Sequence, residues 1–111
     1  MHKLLVLYPH PVSPEAFRRH YLETHLPLVA QLPGLRASWH SFDVNGVAGE
    51  SPYFCVWQGE FESVAAMVMA MESETGRQVA ADGANYATGG MLVLHMPVDA
   101  QPDKTGGAAR G

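Results

Sequence analysis

The chain has one cysteine, few cations and no long apolar run, and each shortage removes a class of protein. Cys55 alone cannot form an internal disulfide, and no residues stand in CxxC or zinc-ligand spacing, which fits a reducing compartment and makes the cytoplasm the expectation. Seven Lys and Arg against eleven Asp and Glu leave a formal charge of −4, the wrong sign for gripping nucleic acid or an anionic membrane. The apolar run after Met1 ends at Pro9 and Pro11, well short of a signal peptide or a membrane span, and no small-residue cleavage site follows. No GxGxxG, P-loop or flavin signature and no HExxH is visible, so the residues themselves point to no nucleotide cofactor and no metal.

What is present is a packed domain. Of 111 residues, 47% are hydrophobic and 16% charged, too apolar for disorder and enough for one core. Periodicity ends at Asp99, so the reading is one domain over residues 1–98 and an extended tail over 99–111.

"HKLLVLYP" is a nearly continuous apolar run stopped by prolines and reads as a strand buried on both faces. "VSPEAF" then offers Ser13 as N-cap, Pro14 at the first helical position and Glu15 in the first turn, so a helix is predicted over residues 14–32. At roughly 100° per residue, Phe17, Tyr21, Thr24, His25, Leu28 and Leu32 share its inner sector, opposite Glu15, Arg19 and Glu23. His20 falls on the flank, about 140° from His25, where a solvated partnership with Glu23 is the expectation. Pro27 predicts a kink over residues 23–27, beside His25.

"LPGL" ends this helix, and "LRASWHSFDV", "NGVAGESP" and "YFCVWQGEF" read as strand, turn and strand, a hairpin over residues 35–61. "ESVAAMVMAMES" begins a second helical region, with a break predicted near Gly76 and a second piece carrying Val79, Asp82 and Tyr86. "GGMLVLHMPV" closes the order β-α-β-β-α-β, so the fold class is α+β: a ferredoxin-like, four-stranded antiparallel sheet with its helices on one side. The first, third and fourth strands carry apolar or aromatic residues at both parities, so something must cover the other face. The simplest cover is a second copy, which predicts a homodimer.

His25 faces inward and can titrate near neutrality, as a general acid or base must, though a buried histidine bonded to backbone would have the same spacing. Tyr21, one turn earlier, could orient it or donate to a substrate oxygen, or simply pack. Asp82 and Tyr86 lie four apart on one helical face, and an inward Asp82 could hold His25 as a carboxylate–imidazole pair. Trp39, Tyr53 and Trp57 supply rings on adjacent strands suited to a small aromatic or hydrophobic molecule, or to core and dimer packing. His40 and His95 are strand residues whose face the spacing leaves open, and Cys55 reads as an inert buried thiol. "YFCVWQGEF" does not fit the RNP1 pattern, which sets aside an RNA-binding ferredoxin-like domain.

The stretch "FRRHYLETHLPLVAQLPGL", with "LYPHPVSPEAF" before it and "ADGANYATGG" after, resembles the EthD family of dimeric α/β-barrel proteins over most of residues 2–97. Its most specific element is "HYLETHLPL" followed by "LPGL", which includes His25. The resemblance implies a dimeric α/β barrel, and a small-molecule enzyme doing cofactor-independent acid/base chemistry of the isomerase, cyclase or dehydratase type on an aromatic or carbonyl metabolite. It also implies two alternatives: an oxidoreductase, as family members are often described, and a non-catalytic barrel that holds haem or another small ligand.

Overall fold

A computed structural model describes residues 1–99 of the 111. Its strands are β1 (His2–Pro9), β2 (Ala37–Phe42), β3 (Tyr53–Phe61) and β4 (Leu92–Pro97). Its helices are α1 (Pro14–His20), α2 (Leu26–Val29), α3 (Val64–Glu72) and α4 (Glu74–Asp82), with a short 3-10 turn over Gly83–Asn85. All pairings are antiparallel and the strand order is β2-β3-β1-β4, the ferredoxin-like arrangement. Among the described residues no helix is long and apolar enough to cross a membrane. The tail expected from residue 99 lies, beyond Asp99, outside the described residues.

Local chemistry explains the helix starts. Ser13 Oγ accepts the Ala16 N–H at 3.2 Å with Pro14 opening α1, and Ser63 Oγ accepts the Ala66 N–H at 3.1 Å to open α3. The break expected near Gly76 falls at Ser73 instead. Its hydroxyl donates to the Ala70 carbonyl at 2.6 Å and accepts the Gly76 N–H at 3.0 Å, closing α3 and capping α4 at once. Gly76 contributes something else. A Cβ there would sit 2.1 Å from the Ala70 carbonyl oxygen, so its lack of a side chain lets the two helices meet.

The helix after Ser13 ends at Val29 rather than residue 32, and it widens where a kink was expected. Tyr21–His25 form a π turn, closed by the Leu26 N–H on the Tyr21 carbonyl. The ring of Pro27 would clash with the Glu23 carbonyl in a regular α-helix and offers it no donor, and the wider turn relieves both problems. The extra residue shifts the phase, so Thr24 is exposed and Leu28 half-buried, whereas Tyr21 and His25 both point inward.

Register assigns the two sheet faces. Leu4, Val6 and Tyr8 of β1 align with Gly59, Trp57 and Cys55 of β3 and face the helices. Phe54 is the extra residue of a bulge opposite Tyr8 and Pro9, and it too is buried, packed edge-on to Phe17 with ring centroids 5.2 Å apart. The core is correspondingly aromatic: Tyr8, Phe17, Tyr21, Phe54 and Tyr86 are all buried. The opposite face presents Leu5, Leu7, Val56, Leu92, Leu94 and Trp39, none of them fully buried in the single chain.

Candidate active site

The π turn, the end of α4 and the end of β1 converge on one hydrogen-bonded chain. His25, only 4% exposed, places Nδ1 2.9 Å from Asp82 Oδ2 and Nε2 2.9 Å from the Tyr86 hydroxyl. That hydroxyl lies 2.8 Å from the hydroxyl of Tyr8. On the other side, Asp82 Oδ1 accepts from His20 Nε2 at 2.8 Å and from Asn85 Nδ2 at 2.9 Å. The Tyr21 ring lies nearly parallel to the imidazole of His25, 20° between planes and 5.2 Å between centroids, and limits its rotation.

Tyr8, His25 and Tyr86 also stand in the wall of a cavity of about 190 Å³ between the sheet and the helices. The rest of the wall is mostly aliphatic, with Leu4, Val6, Val29, Leu32, Val79 and Val93 prominent, and among the described residues no Lys, Arg, Asp or Glu lines it. Met71, Ala80, Met91 and Val93 are the exposed residues of the lining.

Burial pushes the His25 pKa down, with the Asp82 hydrogen bond and charge opposing it, so the imidazole is neutral at and above neutral pH. Burial alone would raise the Asp82 carboxyl, but the hydrogen bonds from Asn85, His20 and His25 outweigh it and hold the group below its ordinary value. Burial raises the pKa of the Tyr8 and Tyr86 phenols, which therefore stay protonated.

Of the residues proposed from sequence, His25, Asp82 and Tyr86 stand together, with Asp82 behind the imidazole and out of the cavity wall. Tyr21 stacks on His25, but among the described residues its buried hydroxyl has no hydrogen-bond partner, and it does not line the cavity. Trp57 lines the cavity. Trp39 does not: its register opposite Gln58 turns it to the open sheet face, where it is 50% exposed. Tyr53 is also away from the cavity, because the bulge at Phe54 pairs it with Pro9 rather than carrying it inward. His40 and His95 lie on the helix-facing side of the edge strands, exposed and outside the cavity, and His95 Nδ1 meets His2 Nε2 at 2.8 Å. Burial lifts the Cys55 thiol to about 12, so it is no thiolate. Among the described residues no three His, Cys, Asp or Glu side chains are placed to hold a metal ion.

Three members of the network were not anticipated, and one of them, Asn85, donates to Asp82 from three residues further on. Tyr8 is hidden in the apolar run of β1 and meets a residue 78 positions away. His20 was expected beside Glu23 in solvent, and it bonds Asp82 instead because the π turn rotates His25 back toward it.

Comparison with known proteins agrees with this architecture. The chain is 36% identical over 95 residues to an uncharacterized 11.0 kDa protein of the thcB-thcC intergenic region of Rhodococcus erythropolis, covering 85% of this chain and 91% of the relative. Among solved structures, an EthD family protein of Bacillus halodurans superposes with a TM-score of 0.83 at 27% identity, over 89% of this chain and 99% of that one. At 14% identity a dimeric ferredoxin-like protein of Thermobifida fusca shares the fold, with a TM-score of 0.67 over 87% of this chain and 90% of its own. So does a hydroxynitrile lyase of Passiflora edulis, at 13% identity and a TM-score of 0.72, over 90% and 94% of the two chains. Residues 9–90 match the EthD domain, and the chain belongs to the EthD family.

Proposed function

We propose that this protein is a cofactor-independent acid/base catalyst acting on a small molecule held in the cavity beside His25. The observation that carries the reading is the double engagement of one buried imidazole: a carboxylate fixes Nδ1 while Nε2 meets a hydroxyl in the cavity wall. That is the arrangement by which a third group orients a histidine and stabilises its protonated form. His25 takes or returns the proton through Tyr86 and Tyr8, and Tyr21 holds the ring in plane. A positioned acid/base of this kind contributes about 10² to 10⁴ in rate.

The haem-binding alternative fits poorly. Both ring nitrogens of His25 are already engaged, and a cavity of 190 Å³ is only a little larger than the ~150 Å³ that encloses benzene. The oxidoreductase alternative finds no Gly-rich phosphate cradle in the sequence. The test is turnover across a panel of ketones, lactones and phenols. For any compound the protein converts, His25→Ala should lower the rate at least about 100-fold while the circular dichroism stays unchanged. Full activity in that variant would remove His25 from the chemistry.

A further inference from the structure

In the chain from Tyr8 to Asp82 each hydrogen has one place to go. A carboxylate only accepts, and Asp82 is kept ionised by three donors, Asn85, His20 and His25. The hydrogen between Asp82 and His25 therefore sits on Nδ1. In a neutral imidazole Nε2 is then bare, so the Tyr86 hydroxyl must donate to it. Its single hydrogen is thereby used, and the 2.8 Å contact with Tyr8 requires Tyr8 to be the donor. Every hydrogen points away from the cavity toward Asp82, and the oxygens of Tyr8 and Tyr86 have only lone pairs left for a ligand.

We infer that the cavity, with His25 neutral, selects an uncharged hydroxyl compound of about one six-membered ring, an alcohol or a phenol, over a carbonyl compound or a carboxylate of the same size. This rests on the acid/base reading above and gives it a substrate class. The size follows from 190 Å³ against the ~150 Å³ of a benzene-sized cavity. The missing charge follows from a wall that has no Lys or Arg among the described residues, in which a carboxylate would be desolvated with no partner. The preference for a donor follows from the direction of the relay, because a carbonyl oxygen would meet only lone pairs and remain unpaired. On deprotonation the ligand O–H bond breaks and its hydrogen passes to the Tyr8 oxygen. The Tyr8 hydrogen moves to Tyr86 and that of Tyr86 to Nε2, leaving an imidazolium against the Asp82 carboxylate.

The same geometry makes the preference reversible. The titratable groups around His25 are Asp82 from α4, His20 from α1, Tyr8 from β1, and Tyr21 and Tyr86 beside it. Protonated at Nε2, His25 donates to Tyr86, which frees the hydrogens of Tyr86 and then Tyr8 to turn toward the cavity. The acceptor wall becomes a donor wall, suited to a carbonyl.

Benzyl alcohol, benzaldehyde and benzoate test this on the full chain, with affinities from calorimetry and the His25 ring followed by nitrogen-15 NMR. At about pH 8 benzyl alcohol should bind at least ~10-fold more tightly than either of the others, and Tyr8→Phe, which leaves the Tyr86 oxygen as the one remaining acceptor of the pair, should reduce the difference. As NMR shows His25 becoming protonated, the alcohol-to-aldehyde preference of the unaltered protein should reverse. Equal or tighter binding of benzaldehyde or benzoate at pH 8, a preference indifferent to His25 protonation, or no binding of any probe at millimolar concentration each overturn the inference. Alcohol-selective binding without turnover would leave it standing and remove the catalytic reading; turnover of carbonyl compounds without that selectivity would do the reverse.

Discussion

His20 and His25, five residues apart, meet on the two oxygens of a single carboxylate, His20 Nε2 at 2.8 Å from Asp82 Oδ1 and His25 Nδ1 at 2.9 Å from Oδ2. A regular α-helix would point them well apart, about 140° out of phase. The π turn over Tyr21–His25 supplies the extra residue that brings the second imidazole round, and Pro27 is the reason the helix widens at that point. A local backbone constraint thus assembles a site whose third member comes from a helix about 60 residues later.

Asp82→Ala should destabilise the fold by about 1–3 kcal/mol, because His25 Nδ1 would be left buried without an acceptor and Asn85 would lose its partner. Urea denaturation of the variant against the unaltered protein reads this directly. A midpoint shift near zero would mean that water replaces the carboxylate and that the network is not part of the stability of the fold.

Stability should fall on acidification from near neutrality. An unfolded histidine takes its proton near pH 6.5, whereas burial lowers the His25 value, so below 6.5 the unfolded chain binds more protons than the folded one. Asp82 acts in the same direction at lower pH. Its stabilising contribution is complete above the unfolded value of 3.8 and is lost as pH falls through the lower folded value. The urea midpoint should be level above about pH 7 and decline steadily below 6.5. A midpoint that rises between pH 7 and 5 would mean that the Asp82 charge outweighs burial and that His25 is an imidazolium in the resting fold.

Gly76→Ala should cost about 1–3 kcal/mol, since the added Cβ meets backbone, 2.1 Å from the Ala70 oxygen and 2.5 Å from the Met71 oxygen, and neither can rotate away. Because Gly76 also lines the cavity, the displacement of α4 should loosen the site as well as the fold. A melting temperature equal to that of the unaltered protein would show that the junction of α3 and α4 gives way without strain.

The sequence patterns that specified this fold are short-range ones. Ser13, Pro14 and Glu15 announce a helix start within three residues, and the apolar run of β1 needs no partner to be read as a strand. The inward side of the long helix was readable at Tyr21 and His25, the two ends of the π turn, but not at Thr24 or Leu28, which ideal spacing places inward and the wider turn carries away. Tyr8 was invisible as a site residue, since only the fold brings it to Tyr86. Trp39 and Tyr53 were misplaced for another reason. Which face a strand residue takes depends on pairing, and the Phe54 bulge changes the parity partway along β3.

The open face of the sheet carries the last prediction. Register places Leu5 opposite Leu94 and Leu7 opposite Leu92, with Val56 and Trp39 on the neighbouring strands, so the apolar patch extends across all four strands. Leu92, Leu94 and Trp39 are each more than a third exposed in the single chain, and contiguous exposed apolar surface of this kind marks an interaction site. A second copy related by a two-fold axis would cover it with the same residues, which is the least demanding way to satisfy one patch. Sedimentation equilibrium at micromolar concentration should therefore give a dimer, and Leu94→Arg should shift it to monomer. Leu94 lies on the face opposite the cavity, so any binding that survives in the monomeric variant would show that the site is complete within one chain; a monomeric unaltered protein would mean that the patch is covered by something other than a second copy.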